Sequence, residues 1–206
     1  MSVCIIDYGI GNLGSVRRAF EECDAHELFI SRDPKDLAHA AHVVLPGVGA
    51  FRDGMQLLKN AGWVEPIRKA TLEDGVPLLG ICLGMQLLAT TGSEGGDVPG
   101  LDLIPGRVVR MTPTADDERI PHVGWNEVHP VDHTHPLLEN IHAGSDFYFV
   151  HSFHMVPDQA KHAAATTPYC GGITSVLARD TIVGTQFHPE KSSRFGFQLI
   201  RNFLAM

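Results

Sequence analysis

The run Val76-Pro77-Leu78-Leu79-Gly80-Ile81 is nearly all apolar, so a strand formed from it presents apolar side chains on both faces. Such a strand must be covered above and below, and parallel sheets do this by placing crossover helices on both sides. The first half of the chain supplies matching pieces. Val3-Cys4-Ile5-Ile6 and Val43-Val44-Leu45 read as two more buried strands, the second closed by Pro46-Gly47. Val16, Ala19, Phe20 and Cys23 stand at i, i+3, i+4 and i+7, which predicts a helix between them. Asp33-Pro34 predicts an N-cap with proline at N1, opening a short helix through Leu37 and Ala41. Residues 52–70 read as helical with a break near Gly62 or Pro66, and Leu83 to Ala89 resume a helical pattern.

Beyond residue 90 the pattern changes. Gly92 to Gly106 is rich in glycine, proline and acids and reads as loop. Segments 107–111, 146–151, 163–167, 173–178 and 182–188 are β-like, the last two forming a hairpin through Arg179-Asp180-Thr181. A helix over 193–204, with Leu199, Ile200 and Phe203 on its apolar face, closes the chain. The expected fold is α/β: a three-layer, open, mostly parallel sheet flanked by helices, with antiparallel additions in the C-terminal half. One domain is expected over residues 1–206, a length that buries a core without disulfide or metal support.

Charge narrows the partners. A net charge of −8 works against a phosphate-binding face, so neither nucleic acid nor an anionic membrane is expected to bind. The beginning lacks a basic n-region and meets an acid at Asp7, unlike a signal peptide, and no apolar run reaches the ~20 residues of a membrane span. A cytoplasmic location follows as an expectation. Cys4, Cys23, Cys82 and Cys170 show neither Cys-x-x-Cys nor zinc spacing, and the first, second and fourth read as buried apolar thiols. His129, His133 and His135 fall in a segment read as loop, with no element fixing their geometry, so no metal site and no cofactor are expected.

Two motifs compete for the chemistry. Gly9-Ile10-Gly11-Asn12-Leu13-Gly14 fits the dinucleotide fingerprint, with Asp33 near the position of a ribose-binding acid. A tight strand-to-helix turn explains the same glycines, and capping before Pro34 explains Asp33. Gly80-Ile81-Cys82-Leu83-Gly84 instead places a thiol in a sharp turn between a buried strand and a helix, where helix N–H groups favour the thiolate. The Leu83 N–H is then a candidate oxyanion donor. His188-Pro189-Glu190 ends a second apolar strand, and residues two apart on an extended chain point the same way, so a base and its orienting carboxylate can project together near Cys82. In Pro46-Gly47-Val48-Gly49, the glycines permit a peptide orientation that brings in a second oxyanion donor.

These segments, with Gly84-Met85-Gln86, Pro121-His122-Val123-Gly124-Trp125-Asn126 and Gln186-Phe187-His188-Pro189-Glu190-Lys191-Ser192, resemble the triad glutamine amidotransferase family. The opening Asp7-Tyr8-Gly9 and Pro121-His122-Val123-Gly124-Trp125-Asn126 narrow the likeness to the branch supplying ammonia for imidazole glycerol phosphate synthesis, in histidine biosynthesis, which Tyr148-Phe149-Val150-His151-Ser152 also fits. The resemblance implies that Cys82 attacks the glutamine side-chain amide, that His188 moves the protons and that Glu190 orients His188. It implies an oxyanion hole from Leu83 and the Val48–Gly49 region, and glutamine contacts from Gln86, Glu94, Ser152 and Phe153. The family often has tyrosine where this chain has Phe153. Asn12, Trp125, Tyr148 and Lys191 are expected to face a separate (β/α)8-barrel cyclase in a heterodimer. There the ammonia would react with a phosphoribulosyl formimino ribonucleotide, giving imidazole glycerol phosphate and an aminoimidazole carboxamide ribonucleotide. A paralogue feeding another acceptor, a cysteine hydrolase and a dinucleotide-binding module remain the alternatives.

Overall fold

The structure, a computed structural model, describes residues 2–131 and 134–206. Its strands are β1 (Ser2–Ile6), β2 (Glu27–Ser31), β3 (His42–Gly47), β4 (Leu78–Cys82), β5 (Thr91–Gly92), β6 (Val98–Pro99), β7 (Gly106–Arg110), β8 (His122–Pro130), β9 (Ser145–His151), β10 (Phe153–Pro157), β11 (Ala163–Thr167), β12 (Ile173–Arg179) and β13 (Ile182–Thr185). The α-helices are α1 (Leu13–Glu21), α2 (Phe51–Asn60), α3 (Val64–Arg68), α4 (Leu83–Gln86) and α5 (Ser193–Leu204).

A nine-stranded sheet runs β2-β1-β3-β4-β13-β12-β11-β8-β9. Its pairings are parallel from β2 to β13 and antiparallel from β13 to β9. The doubly apolar run sits where it must, with β4 flanked by β3 and β13 and buried along its length. Alternation sorts side chains to two cores. Val3 and Ile5 join α1 and α5 through Val16, Phe20, Leu199 and Phe203 on one face. Cys4 and Ile6 meet α2, α3 and α4 through Phe51, Leu58, Ile67 and Met85 on the other. Each fully buried aromatic or aliphatic side chain contributes about 1.5–3 kcal/mol. A four-stranded sheet, β10-β7-β5-β6, packs Val108 and Met155 into that second core.

The break expected in the 52–70 helix falls at Gly62, whose φ of 75° ends α2. Several other local details depart from the sequence reading. Pro66 lies in the first turn of α3, where no intrahelical donor is needed, and the helical run closes in a π-turn over Lys69–Glu73. Regular helix after Cys82 stops at Gln86, with tighter turns to Ala89. The 92–106 segment carries β6 and the end of β5. β2, β8 and β10 have no sequence counterpart, because each mixes polar with apolar side chains and has one face exposed or only half-buried. β8 includes His129, so that histidine stands on a strand beside Glu127 rather than in a loop. His133 lies outside the described residues. Among the described residues no helix is long and apolar enough to cross a membrane.

Candidate active site

Cys82 occupies the turn between β4 and α4 with φ 55° and ψ −108°, a conformation costing about 1–3 kcal/mol for a side-chain-bearing residue. The flanking glycines make this turn possible. A Cβ on Gly80 would stand 2.7 Å from the Gly84 carbonyl oxygen, and one on Gly84 would collide with the Leu45 carbonyl of β3. The thiol is almost fully buried, with Sγ 3.8 Å from the Val150 carbonyl oxygen and 3.8 Å from Gln186 Nε2. Cys4 and Cys23 are buried as expected, and burial pushes the Cys4 thiol up to about 12 and raises that of Cys23; Cys170 is only half-buried, because it sits in a turn whose backbone N–H donates to the Glu118 carboxylate.

His188 and Glu190 meet as expected but by another route. β13 ends at Thr185, and Pro189–Lys191 forms a 3-10 turn with proline at its first position. The two side chains therefore converge across a helical turn, not along an extended strand; the fixed φ of Pro189 ends the strand geometry. His188 Nδ1 lies 2.8 Å from Glu190 Oε1, with both side chains almost wholly buried. Ser192 Oγ donates to the His188 carbonyl at 2.6 Å and accepts from Tyr148 N at 3.0 Å, while His188 N donates to Tyr148 O at 2.9 Å. β9 is thereby tied to the turn holding the imidazole. Burial alone would lower the His188 pKa; interactions with Cys82 and Glu190 outweigh it and raise it to about 9. His188 Nε2 is buried beside the thiol without a fully formed hydrogen bond, as is common before substrate closes a site.

A cavity of about 450 Å³ opens here, lined by Val48, Gly49, Cys82, Leu83, Gln86, Glu94, Ser152, Phe153 and His188, with Ala50, Val150 and His151 completing its wall. It thus gathers the thiol, the imidazole, all three oxyanion candidates and all four candidate glutamine contacts; Glu190 stands behind the imidazole. Gly49 has φ 106°, and Gly47 has no room for a side chain because the Tyr8 hydroxyl stands there. Gln86 Nε2 donates to Phe153 O at 2.8 Å and to Gln186 Oε1 at 3.1 Å, leaving its oxygen for a ligand's N–H. Phe153 meets Gln86 through that backbone carbonyl, a contact indifferent to a ring hydroxyl. Glu94 Oε2 accepts from Phe51 N at 2.9 Å and so caps α2, which lacks a capping side chain of its own. Gln186, Ser192 and His151 carried no role in the sequence reading, although Gln186 and Ser192 belong to the His-Pro-Glu segment.

Trp125 and Tyr148 are cross-strand partners with ring centroids 6.2 Å apart, and Lys191 Nζ lies 5.6 Å from the Tyr148 centroid. Trp125 is 55% exposed and its neighbour Val123 57%, an apolar surface next to the triad. Asn12 caps α1, which packs against the Pro189–Lys191 turn. The dinucleotide fingerprint has other structural duties. Gly11 sits against Pro46 at the start of the oxyanion loop, and Asp33 accepts from Lys35 N at 3.0 Å as the cap expected before Pro34.

A thiol at a strained strand-to-helix turn, facing a buried imidazole–carboxylate pair on an α/β sheet, is the arrangement of a cysteine-nucleophile enzyme class. The chain belongs to the class-I glutamine amidotransferases: the family model described as "Glutamine amidotransferase class-I" matches residues 4–206. It is 45% identical to imidazole glycerol phosphate synthase subunit HisH of Rhodopseudomonas palustris, across 99% of this chain and 98% of that one. The HisH subunit of Natronomonas pharaonis is 46% identical, across 98% and 93%. The solved structure of PurLQS from Thermotoga maritima shares the fold, with a TM-score of 0.71 at 17% identity, covering 99% of this chain and 97% of that one.

Proposed function

We propose that this chain is the glutaminase subunit of an imidazole glycerol phosphate synthase. It hydrolyses glutamine and feeds the ammonia to a cyclase partner in histidine biosynthesis. The 45% identity to a HisH subunit over nearly the full length supports the reaction, and the 2.8 Å His188–Glu190 pair beside Cys82 is the single observation that carries the proposed chemistry.

In this reading the Cys82 thiolate adds to the glutamine amide carbon, and the oxyanion is held by the Leu83 N–H and an N–H from the Val48–Gly49 segment. His188 enters protonated, as its raised pKa requires at neutral pH, and hands its proton to the departing ammonia. Once sulfur is acylated its negative charge is gone. The interaction that held the imidazolium is lost while burial remains, so the imidazole becomes the base that activates water against the thioester. Glu190 keeps Nε2 aimed at the reacting atoms throughout. Glutamate leaves and the thiolate–imidazolium pair is restored.

Trp125, Tyr148, Lys191 and Asn12 are proposed to face the partner, a (β/α)8 barrel in a heterodimer. Ammonia released to water becomes ammonium and stops being a nucleophile, so the glutaminase cavity must open toward the acceptor. A single domain over residues 1–206 and a cytoplasmic setting, where the thiol stays reduced, complete the proposal. The test compares synthesis driven by glutamine with synthesis driven by added ammonium salt. Cys82→Ala should abolish the first and spare the second; loss of both would make Cys82 structural.

A further inference from the structure

Gln186 is fully buried at the end of β13, its backbone N–H donating 2.9 Å to Ser175 O. The orientation of its amide is set by a chain of bonds that begins at a carbonyl. Phe153 O can only accept, so Gln86 must present its nitrogen there, at 2.8 Å. The second hydrogen of that nitrogen goes to Gln186 Oε1 at 3.1 Å, which turns Gln186 Nε2 toward Cys82 Sγ at 3.8 Å. Phe153 O also accepts from His151 Nδ1 at 2.8 Å, and His151 Nε2 then accepts from His122 Nδ1 at 3.1 Å, so the carbonyl is held from two sides. Gln186 has no freedom to turn its oxygen toward the sulfur without breaking a buried bond.

The Val150 carbonyl, which accepts from the thiol at 3.8 Å, opposes the anionic form of the sulfur. The titratable groups around it are His188, backed by Glu190, and the buried Tyr8 phenol. We propose that Gln186 is a positioning residue for the nucleophile: its amide N–H draws Sγ away from the Val150 carbonyl and holds it, as the anion, between Gln186 and His188. This rests on the glutaminase reading for its kinetic consequence but not for its effect on the thiol itself. It also gives Gln86 two duties, since the amide that contacts glutamine orients the amide that contacts sulfur.

The test is Gln186→Met, which keeps the length of the side chain and removes the donor, alongside Gln186→Glu, which puts an acceptor in its place. The full chain is alkylated with iodoacetamide across a pH series, and Cys82 modification is followed by peptide mass spectrometry. The midpoint for Cys82 should move upward in Gln186→Met and further in Gln186→Glu, with the other three thiols unchanged. In complex with the cyclase, kcat for glutamine should fall about tenfold or more, the scale of one lost bond to a charged group, with KM changing less. Ammonium-driven synthesis should persist. Superimposable alkylation profiles and unchanged kcat would overturn the proposal while leaving the glutaminase reading intact. Glutamine turnover that persisted in Cys82→Ala would instead sink that reading. A third measurement needs no variant: one Gln186 side-chain amide proton should shift with pH in step with the Cys82 titration, and an amide blind to it counts against the role.

Discussion

Gly84 and Leu45 lie so close that a single added carbon on Gly84 would collide with the Leu45 carbonyl oxygen. The contact locks the nucleophile turn of one strand against the backbone of its neighbour, and it explains why the residue two positions after Cys82 must lack a side chain. Gly84→Ala should therefore cost about 1–3 kcal/mol, as overpacking does. A thermal melt several degrees lower is expected, with a larger proportional loss of glutaminase than of ammonium-driven synthesis. An unchanged melting temperature and full glutaminase activity would show that the turn is not held as described.

Removing the orienting carboxylate isolates the second half of the site. Glu190→Gln keeps shape but withdraws the charge paired with His188 at 2.8 Å. The His188 imidazolium should then lose its proton at lower pH, and glutamine turnover should fall by about 10²–10⁴, the usual range for disabling a positioned acid–base group. The pH–rate profile of the complex, recorded before and after substitution, checks both.

Stability should depend on pH in two opposite ways. Burial lowers the pKa of His151 to about 3 and of His122 to about 4, and also lowers that of His42, which stands on β3 against Phe203. Unfolding releases these rings to ordinary values near 6.5, so the unfolded chain takes up protons and stability falls as pH drops below about 6.5. His188 is raised to about 9, so its contribution is complete below about 6.5 and lost as pH rises through 9. Urea midpoints across this range should crest near pH 6.5. His42→Leu should flatten the acid limb, and an acid limb that ignores it would refute the burial argument for that ring.

The exposed Trp125 ring is the proposed anchor for the cyclase. Trp125→Ala should weaken the affinity for the cyclase by about 30-fold, as loss of a central aromatic does, while the free subunit melts as before. Titration calorimetry against the barrel subunit measures it.

Much of this site was legible in the sequence because its chemistry is local. Gly80 to Gly84 spells a turn only small flanking residues allow, and His188-Pro189-Glu190 carries base and orienter within three positions. The parallel centre was legible too, since β1, β3 and β4 are apolar on both faces. β8 was not, because His122, Gly124, Asn126 and His129 have no period-two hydrophobicity; the strand is held by pairing with β9 and by a hydrogen-bonded histidine pair. Gln186 escaped notice for a related reason. Its role depends on Gln86, a hundred residues earlier, and on a backbone carbonyl, and no local pattern encodes either. The capping of α2 by Glu94 is long-range in the same sense.

The most direct check of the account is covalent labelling with a diazoketone analogue of glutamine, followed by peptide mass spectrometry of the chain in complex with its cyclase. A single adduct on Cys82, formed slowly in Glu190→Gln and prevented by glutamine, is the expected result. Adducts on Cys4, Cys23 or Cys170 instead, or labelling indifferent to both Glu190 and glutamine, would contradict the assignment of Cys82, His188 and Glu190 as one working unit.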